Sequence, residues 1–236
     1  MAAHDTPPAP SASSQAVAES VVVFDFDHTL TDWDCSARFF RWLIARERWR
    51  QALAVLSLAG MTPLWLHRRT RRYPVRVAVW IATLARSQDE IAALATEHVA
   101  SLHAAGIRFV REDAHAELRG HLQRRRPVAI ATGALEVLVE SILAAERVDG
   151  VMVVGSTLRR WLGGMVADRY CFGHHKPVML AERGVHAPYA CVYTDHSDDL
   201  PLLERTDERF AINPRPACWA RMQQRFGGGV QSLRWR

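Results

Sequence analysis

The feature of this sequence that most restricts its fold is a series of short, uncharged and mostly apolar runs that recur along the chain. Such runs are typical of strands that a parallel sheet buries on both faces. Helical patterns separate several of them, at Leu135–Arg147 and Pro177–Arg183. Strands that alternate with helices need crossover connections, so the sequence predicts an α/β fold with a Rossmann-like parallel sheet. The runs are VVVF at 21–24, VAIAT at 128–132, VMVV at 151–154, CVYT at 191–194 and FAIN at 210–213.

Three segments depart from this alternation. Residues 1–20 are rich in proline, alanine and serine, so we expect a disordered leader, and they lack the pattern of a secretory signal. The segment from Trp33 to Ile107 has a helical pattern and predicts an insertion into the sheet domain. The WLGG sequence at 161–164 predicts a β-hairpin. The expected organisation is a leader at 1–20, an α/β core at 21–33 and 109–236, and a helical insertion at 34–108.

The composition is that of a globular protein that needs no metal or disulfide in order to fold. The 236 residues are 49% hydrophobic and 23% charged, and a chain of this length buries a sizeable core. The four cysteines, Cys35, Cys171, Cys191 and Cys218, form no CxxC pair. This spacing argues against a zinc ribbon or a disulfide framework and favours a reducing compartment. We expect each cysteine to be a small buried residue.

Two acidic clusters follow predicted strands. Asp25 and Asp27 end the first strand in FDFDHT, and an extended chain points residues two apart in the same direction. Asp195 follows the CVYT strand, with Asp198 and Asp199 close behind. Ligands of open α/β sheets bind at the carboxyl ends of the strands, and gathered carboxylates favour a cation such as Mg²⁺. Capping of a helix by Asp198 or Asp199 is the alternative explanation of the second cluster.

Two further motifs carry groups that bind anions. Thr132 and Gly133 follow a predicted strand and precede a predicted helix, which places a hydroxyl group beside free backbone N–H groups at a helix start. Lys176, in GHHKP, is the only lysine beside 29 arginines. Its compact ammonium group differs in use from a planar guanidinium. We expect His174 and His175 to lie in a turn rather than to act as ligands.

Taken in order, DFDHT, ATG, the single lysine and TDHSDDLP resemble the four motifs of the haloacid-dehalogenase-like hydrolase superfamily. The spacing resembles the subfamily related to phosphoserine phosphatase, in which a helical cap lies between the first two motifs. The resemblance extends from Val21 to about Pro216. It implies a Rossmann-like core capped by the insertion, and a Mg²⁺-dependent phosphatase that acts through an aspartyl-phosphate intermediate.

The resemblance also implies a role for each acidic residue. Asp25 would be the nucleophile that attacks phosphorus. Asp27 would be the general acid that protonates the leaving alcohol and then the base that activates water. Mg²⁺ would be held by Asp25, Asp195 and the backbone carbonyl of Asp27, with Asp199 supporting from nearby.

The phosphoryl group would be bound by Thr132, Gly133 and Lys176. Dehalogenating relatives lack the second aspartate of the first motif, because a halide needs no proton, so Asp27 favours phosphatase chemistry. Two positions depart from the usual pattern of the family. His28 stands where glycine is frequent, and His196 stands where serine usually follows the metal-binding acid. Both substitutions preserve the spacing of the carboxylates.

The insertion carries most of the positive charge. Between Arg41 and Arg86 there are ten arginines and one acidic residue, a balance of +9 in a chain of net charge +5. Uncharged runs at 52–66 and 77–85 and four of the eight tryptophans fall in or near this segment. The longer run would span about 22 Å as a helix, less than the ~30 Å hydrocarbon core, so we expect no simple transmembrane helix. Arginine and tryptophan beside an apolar surface suit an anionic membrane face, and an ordinary cap with its own core is the alternative.

A narrower resemblance concerns phosphatidylglycerophosphatases of the C type. It rests on the short apolar run followed by arginines, the glycine-rich hairpin before CFGHHK and the closing acidic motif. It implies a lipid phosphate such as phosphatidylglycerol phosphate, met by a cytoplasmic protein at the inner face of the membrane. A soluble phosphatase of a small phosphoserine-like metabolite and a non-catalytic anion-binding module are the competing hypotheses. We expect no nucleic-acid partner, because the apolar stretches are too long for a solvated nucleic-acid face.

Overall fold

The protein is built around a six-stranded sheet whose strands all run parallel. The computed structural model describes residues 20–62, 70 and 72–236. The strands are β1 (Val22–Phe24), β2 (Val128–Leu135), β3 (Val151–Ser156), β4 (Leu158–Trp161), β5 (Gly164–Ala167), β6 (Tyr189–Thr194), β7 (Thr206–Ile212) and β8 (Gln231–Leu233). The sheet has the order β3-β2-β1-β6-β7-β8, and β4 and β5 form a separate pair. The predicted Rossmann-like α/β fold is therefore confirmed, and the first strand lies near the middle of the sheet.

Both faces of the sheet are covered, which explains why its central strands are uncharged. Val22 and Phe24 belong to one apolar cluster and Val23 to another, and all three are fully buried. The helices of the described residues are α1 (Cys35–Ala45), α2 (Arg48–Gly60), α3 (Arg72–Thr83), α4 (Gln88–Ala104), α5 (Glu112–Gln123), α6 (Glu136–Ala145), α7 (His175–Glu182), α8 (Leu200–Leu203) and α9 (Pro216–Phe226).

Helices α1 to α4 occupy the segment that the sequence predicts as an insertion. The side chain of Asp34 accepts a hydrogen bond from the N–H of Ala37 at 2.7 Å and so caps the start of α1. Ser87 and Glu90 form a capping box at the start of α4. These caps fix where the helices begin, and α4 then packs against α6 of the core. The assignment of residues 34–108 to a separate cap stays a prediction.

Part of the positive charge of the insertion serves its own packing. Arg50 is 3% exposed and donates to the carbonyls of Ile81 and Leu84, each at 2.7 Å, at the end of α3. Arg86 donates to Glu47 at 2.6 Å, and the side chain of Arg46 is paired with Glu97. At least three of the ten arginines therefore hold the insertion together. The net charge of the segment therefore overstates the number of arginines that are available to bind an anionic partner.

The predicted hairpin is present and lies against the insertion. β4 and β5 pair in antiparallel fashion around a turn of Leu162 and Gly163, whose φ angles are 43° and 80°. The N–H of Ala85 donates to the carbonyl of Gly163 at 2.7 Å, and the N–H of Met165 donates to the hydroxyl of Thr83 at 2.8 Å. The end of α3 therefore holds both the turn and the second strand of the hairpin.

Some features lie beyond what the sequence patterns predict. The leader at 1–20 lies outside the described residues except for Ser20. The uncharged run at 52–66 is helical in α2 as far as Gly60, and residues 63–66 lie outside the described residues. Within the described part of the chain, no helix is long and apolar enough to cross a membrane. The segments that form α9 and β8 are mostly polar and show no clear apolar pattern. In α9 only Cys218 and Met222 are buried.

Candidate active site

The carboxyl ends of the two central strands bring Asp25 and Asp195 to the same edge of the sheet. Asp25 follows β1 and Asp195 follows β6, and these strands are paired with Phe24 opposite Tyr193. The N–H of Asp25 donates to the carbonyl of Tyr193 at 2.8 Å, which continues the pairing. Both aspartates are buried. Burial raises the pKa of Asp25, and the neighbouring charge of Asp195 adds to this effect.

Lys176 lies between two of the predicted carboxylates. Its Nζ donates to Asp25 Oδ1 and to Asp199 Oδ2, each at 2.7 Å, and the residue is 2% exposed. The hydroxyl of Thr194 also donates to Asp199 Oδ2, at 2.7 Å. Burial lowers the pKa of Lys176, but the charges of Asp199 and Asp25 outweigh burial and raise it above its usual value. The lysine therefore supplies a permanent positive charge at the end of β1.

Asp27 lies where the chain leaves the sheet for the insertion. Its Oδ1 accepts a hydrogen bond from the N–H of Cys35, the first residue of α1, at 3.0 Å. Burial raises the pKa of Asp27 to about 7, although this hydrogen bond opposes the shift. Such a carboxyl group can both give and take a proton near neutral pH. His28, with φ of 60°, adopts a left-handed conformation that glycine adopts without strain.

Thr132 and Gly133 lie inside β2 rather than at the start of a helix. The pairing of β2 with β3 is irregular between Ala131 and Leu135, and α6 begins only at Glu136. The Thr132 hydroxyl is fully buried and accepts a hydrogen bond from the N–H of Ala134 at 3.0 Å. The prediction that the motif follows the strand is wrong, because β2 continues to Leu135, whereas the helix begins within one residue of its predicted start near Leu135. A hydroxyl that accepts one hydrogen bond can still donate its proton to an anion.

The turn after β6 is capped by a histidine. His196 Nδ1 accepts a hydrogen bond from the N–H of Asp198 at 3.1 Å, at the start of a 3₁₀ turn over Ser197–Asp199. Neither Asp198 nor Asp199 caps a helix with its side chain, so that alternative is wrong. Asp199 is 2% exposed and points to Lys176. His174 and His175 lie at the start of α7 with their ring centroids 4.0 Å apart.

The donor atoms at this edge fit a hard divalent cation. Asp195 is 8% exposed, and within the described residues no hydrogen bond or ion pair reaches its carboxylate. A buried carboxylate without a partner is costly, and a cation would remove that cost. The described residues contain no group of three or more His, Cys, Asp or Glu side chains placed so as to hold a metal ion on their own. Two carboxylates, a backbone carbonyl and water molecules are nevertheless ligands that Mg²⁺ accepts.

The similarity to known proteins agrees with this geometry. Residues 22–204 match the family model of the haloacid dehalogenase-like hydrolases. The chain belongs to this family. The hydrolase is 27% identical to the protein CicA of Caulobacter vibrioides over 197 residues, which are 80% of this chain and 84% of CicA.

Two solved structures share the fold of this hydrolase. A protein of unknown function from Bordetella pertussis Tohama I is 24% identical, with 90% of this chain and 97% of that chain covered and a TM-score of 0.60. A substrate-bound phosphoserine phosphatase is 14% identical, with 86% of this chain and 90% of that chain covered and a TM-score of 0.53.

Two residues that position the site have no role in the sequence predictions. Thr194 fixes Asp199, and its place directly before Asp195 in the TDHSDD motif is a signal that was available. Ser156 ends β3, and its hydroxyl donates to the carbonyl of Gly133 at 2.8 Å. The same oxygen accepts a hydrogen bond from the N–H of Cys171 at 3.1 Å. Ser156 joins segments that are far apart in the chain, so no local pattern indicates it.

Proposed function

We propose that this hydrolase cleaves phosphate monoesters through an aspartyl-phosphate formed on Asp25. The observation that carries the proposal is the buried contact of Lys176 with Asp25 and Asp199 beside the carboxylate of Asp195. A carboxylate nucleophile and a phosphate ester are both anions, so a fixed positive charge is needed for their approach. The single lysine of the chain stands at that position.

In the first half of the proposed reaction, a carboxylate oxygen of Asp25 attacks phosphorus, and the bond from phosphorus to the ester oxygen breaks. Asp27 gives its proton to the departing alcohol oxygen, for which its pKa of about 7 is suited. In the second half, the Asp27 carboxylate takes a proton from water, whose oxygen attacks the aspartyl-phosphate. Inorganic phosphate leaves and both aspartates return to their initial states. The covalent intermediate divides one difficult displacement into two easier ones.

Further groups would bind the phosphate and a cation. The hydroxyl of Thr132, the backbone at Gly133 and the ammonium group of Lys176 would hold the phosphoryl oxygens. Asp25, Asp195 and the backbone carbonyl of Asp27 would hold Mg²⁺, which would neutralise the charge of the phosphoryl group. Asp199 is assigned to holding Lys176, since both contacts of its Oδ2 are to Lys176 and Thr194. Its support of the cation would act through that lysine.

We propose a lipid phosphate such as phosphatidylglycerol phosphate as the substrate, met at the cytoplasmic face of the membrane. The exposed side of α2 supports this, because it carries Val55 and Leu56 at 68% and 75% exposure and Trp49 at 47%. Arg48 on α2 and Arg76 on α3 are also exposed. Apolar and cationic groups together favour an anionic bilayer surface.

A soluble phosphatase of a small phosphoserine-like metabolite is the second candidate. It is favoured by the fold that this chain shares with a phosphoserine phosphatase. A non-catalytic anion-binding module is the third, and the complete set of Asp25, Asp27, Lys176 and Asp195 at one sheet edge speaks against it.

The test is a phosphate-release assay on an aryl phosphate, phosphoserine and vesicles that contain phosphatidylglycerol phosphate, with and without Mg²⁺. We expect Mg²⁺-dependent release that Asp25→Asn abolishes, and the highest kcat/KM on the vesicles. Efficient release from phosphoserine with none from vesicles would select the second candidate. Absence of release from every ester would leave the binding module. A Val55→Gln/Leu56→Gln variant that still sediments with anionic vesicles as wild type does would exclude α2 as the membrane contact.

A further inference from the structure

Two aromatic side chains stand exposed beside the proposed phosphate site, on the segment that leads to Lys176. Tyr170 is 54% exposed and Phe172 is 40% exposed. Their rings are stacked, with centroids 5.3 Å apart and an angle of 13° between the planes. Exposed aromatic rings carry a large apolar area, so a pair of them beside a reactive site indicates contact with an apolar group.

The two rings, which we call the aromatic shelf, lie directly against the end of β2. A Cβ atom built on Gly133 would lie 3.7 Å from Phe172 Cδ2 and 3.8 Å from Tyr170 Cε2. The shelf is therefore in van der Waals reach of the backbone that follows Thr132. A phosphoryl group held by Thr132 and Lys176 would therefore lie near these rings.

The position of the shelf is fixed by buried hydrogen bonds. Cys171 lies between the two aromatic residues in the sequence. Its N–H donates to Ser156 Oγ at 3.1 Å, and Ser156 Oγ donates to the carbonyl of Gly133 at 2.8 Å. Ser156 is 7% exposed and Cys171 is fully buried. The shelf is thus held to the same strand end that carries Thr132. A prearranged apolar surface binds at a lower entropic cost than a flexible one.

The charged groups of the site influence the hydroxyl group of Tyr170. Partial burial raises the pKa of Tyr170, the charge of Asp34 adds to the shift, and that of Lys176 opposes it. Asp27 acts on the same hydroxyl group. The charges of the site therefore reach this tyrosine, about half of whose surface remains exposed.

We propose that Tyr170 and Phe172 form a subsite for an apolar part of the leaving alcohol, such as the start of an alkyl or acyl chain. The assignment rests on the proposed phosphatase function and deepens it, since it names the part of the enzyme that distinguishes apolar from polar phosphate esters. It differs from the exposed side of α2, which would contact a bilayer rather than a single bound molecule.

The experiment measures the binding of two phosphonates that the enzyme cannot hydrolyse, methylphosphonate and n-octylphosphonate, by calorimetry in the presence of Mg²⁺. The octyl compound is used as a monomer in solution, so no membrane surface is involved. We expect the wild-type protein to bind n-octylphosphonate at least 10-fold more tightly than methylphosphonate. In Tyr170→Ala/Phe172→Ala this preference should fall about 5- to 10-fold while the affinity for methylphosphonate stays within 2-fold.

Two variants serve as controls. Val178→Ala truncates another exposed apolar side chain, at 53% exposure on α7, beside Pro177, Ala181 and Glu182 rather than beside Gly133. Val55→Gln/Leu56→Gln alters the exposed side of α2. Both should retain the preference for the octyl chain. Tyr170→Gln and Phe172→Gln, made singly, repeat the measurement with side chains of useful size if the double alanine variant does not fold.

The outcomes separate the subsite from the phosphatase function. An equal loss of affinity for both phosphonates, or no loss for either, overturns the subsite. Binding of neither compound by the wild-type protein overturns both proposals. A Tyr170-dependent preference for the octyl chain in a protein that releases no phosphate from any ester supports the subsite and rejects the phosphatase function.

Discussion

Lys176 and Asp199 form a buried ion pair in which Nζ and Oδ2 are 2.7 Å apart, and the same ammonium group reaches Asp25 at the same distance. Burial raises the pKa of Asp199 to about 6 in spite of this lysine. For this carboxyl group the cost of burial therefore outweighs the attraction of the lysine. Asp199 keeps the lysine in position and charged, and the proposed chemistry depends on that charge.

Replacement of this lysine should reduce both activity and stability. In Lys176→Met the carboxyl groups of Asp25 and Asp199 lose their cation, so their pKa values in the folded state rise further above the unfolded values. A carboxyl group whose pKa is raised by folding stabilises the folded protein at low pH, where the group is protonated. That contribution is lost as the pH rises through the pKa of the group in the folded state. We expect a deficit in unfolding free energy of about 3 kcal/mol at pH 8 and a much smaller one at pH 5, measured by urea denaturation. An equal deficit at both pH values would contradict the ion-pair explanation.

Asp25 and Asp195 should differ in their response to Mg²⁺. Asp25→Asn removes the nucleophile, so turnover should fall by a factor of about 10⁴ or more at every Mg²⁺ concentration. Asp195→Asn leaves the nucleophile in place and removes a ligand, so activity should partly return as Mg²⁺ is raised. The measurement is the Mg²⁺ dependence of kcat/KM for both variants. Identical behaviour of the two variants would argue against separate roles.

The role of Asp27 as a proton donor can be tested with esters of different leaving groups. Asp27→Asn cannot protonate the departing oxygen, so hydrolysis of an alkyl phosphate should fall by a factor of about 10²–10⁴. An aryl phosphate, whose phenolate leaves without a proton, should lose much less in the step that forms the aspartyl-phosphate. Burst kinetics with p-nitrophenyl phosphate would measure that step. A similar loss of burst rate and alkyl turnover would show that Asp27 has another role.

His98 should make the fold sensitive to acid. It is 3% exposed, its ring lies 4.7 Å from that of Trp42, and burial, with a smaller contribution from Arg38, lowers its pKa from 6.5 to about 4. The unfolded chain therefore binds a proton on this histidine as the pH falls below 6.5, whereas the folded chain does not until about pH 4. Folding stability falls across that range by about 3 kcal/mol at most.

The matched substitutions are His98→Leu, which removes this dependence, and His103→Leu on the exposed side of the same helix, which should retain it. Urea denaturation at pH 7 and pH 4.5 makes the comparison. A His98→Leu protein that loses as much stability between these pH values as wild type would reject the assignment.

Arg50 should be far more important for stability than its neighbour Arg48. Arg50→Ala leaves the carbonyls of Ile81 and Leu84 without their donor, which should cost about 3 kcal/mol of unfolding free energy. Arg48 is exposed, so Arg48→Ala should change stability by less than about 0.5 kcal/mol. Chemical denaturation of the two alanine variants provides the test, and similar stabilities would show that the buried guanidinium contributes little.

The sheet and the positions of the acidic groups could be predicted because each depends on a local pattern. The uncharged runs lie in strands β1, β2, β3, β6 and β7, and Asp25 and Asp195 follow from their places after β1 and β6. The extent of β2 could not be predicted in this way, because Leu135 continues the strand by pairing with Ser156. A strand end that is decided by a partner more than 20 residues away leaves no local signal.

Which arginines are buried and which are exposed could also not be predicted from the sequence. Arg50 and Arg48 are two residues apart in the same basic run, yet one is buried against carbonyls and the other is exposed. The rotation of α2 about its own axis relative to α3 determines which of the two arginines is buried. No sequence pattern predicts the proposed subsite of Tyr170 and Phe172 either. It depends on their packing against Gly133, which is distant in the chain.

The hairpin of β4 and β5 is bonded to Thr83 and Ala85 of the insertion, so a displacement of the insertion carries the hairpin with it. From Ala167 the chain continues past Tyr170 to Lys176 without an intervening strand or helix before α7. Between the hairpin and Lys176, however, the hydrogen bonds of Ser156 with Gly133 and Cys171 tie this stretch to the sheet. A displacement of the hairpin would end at that anchor, and the ammonium group would keep its place beside Asp25.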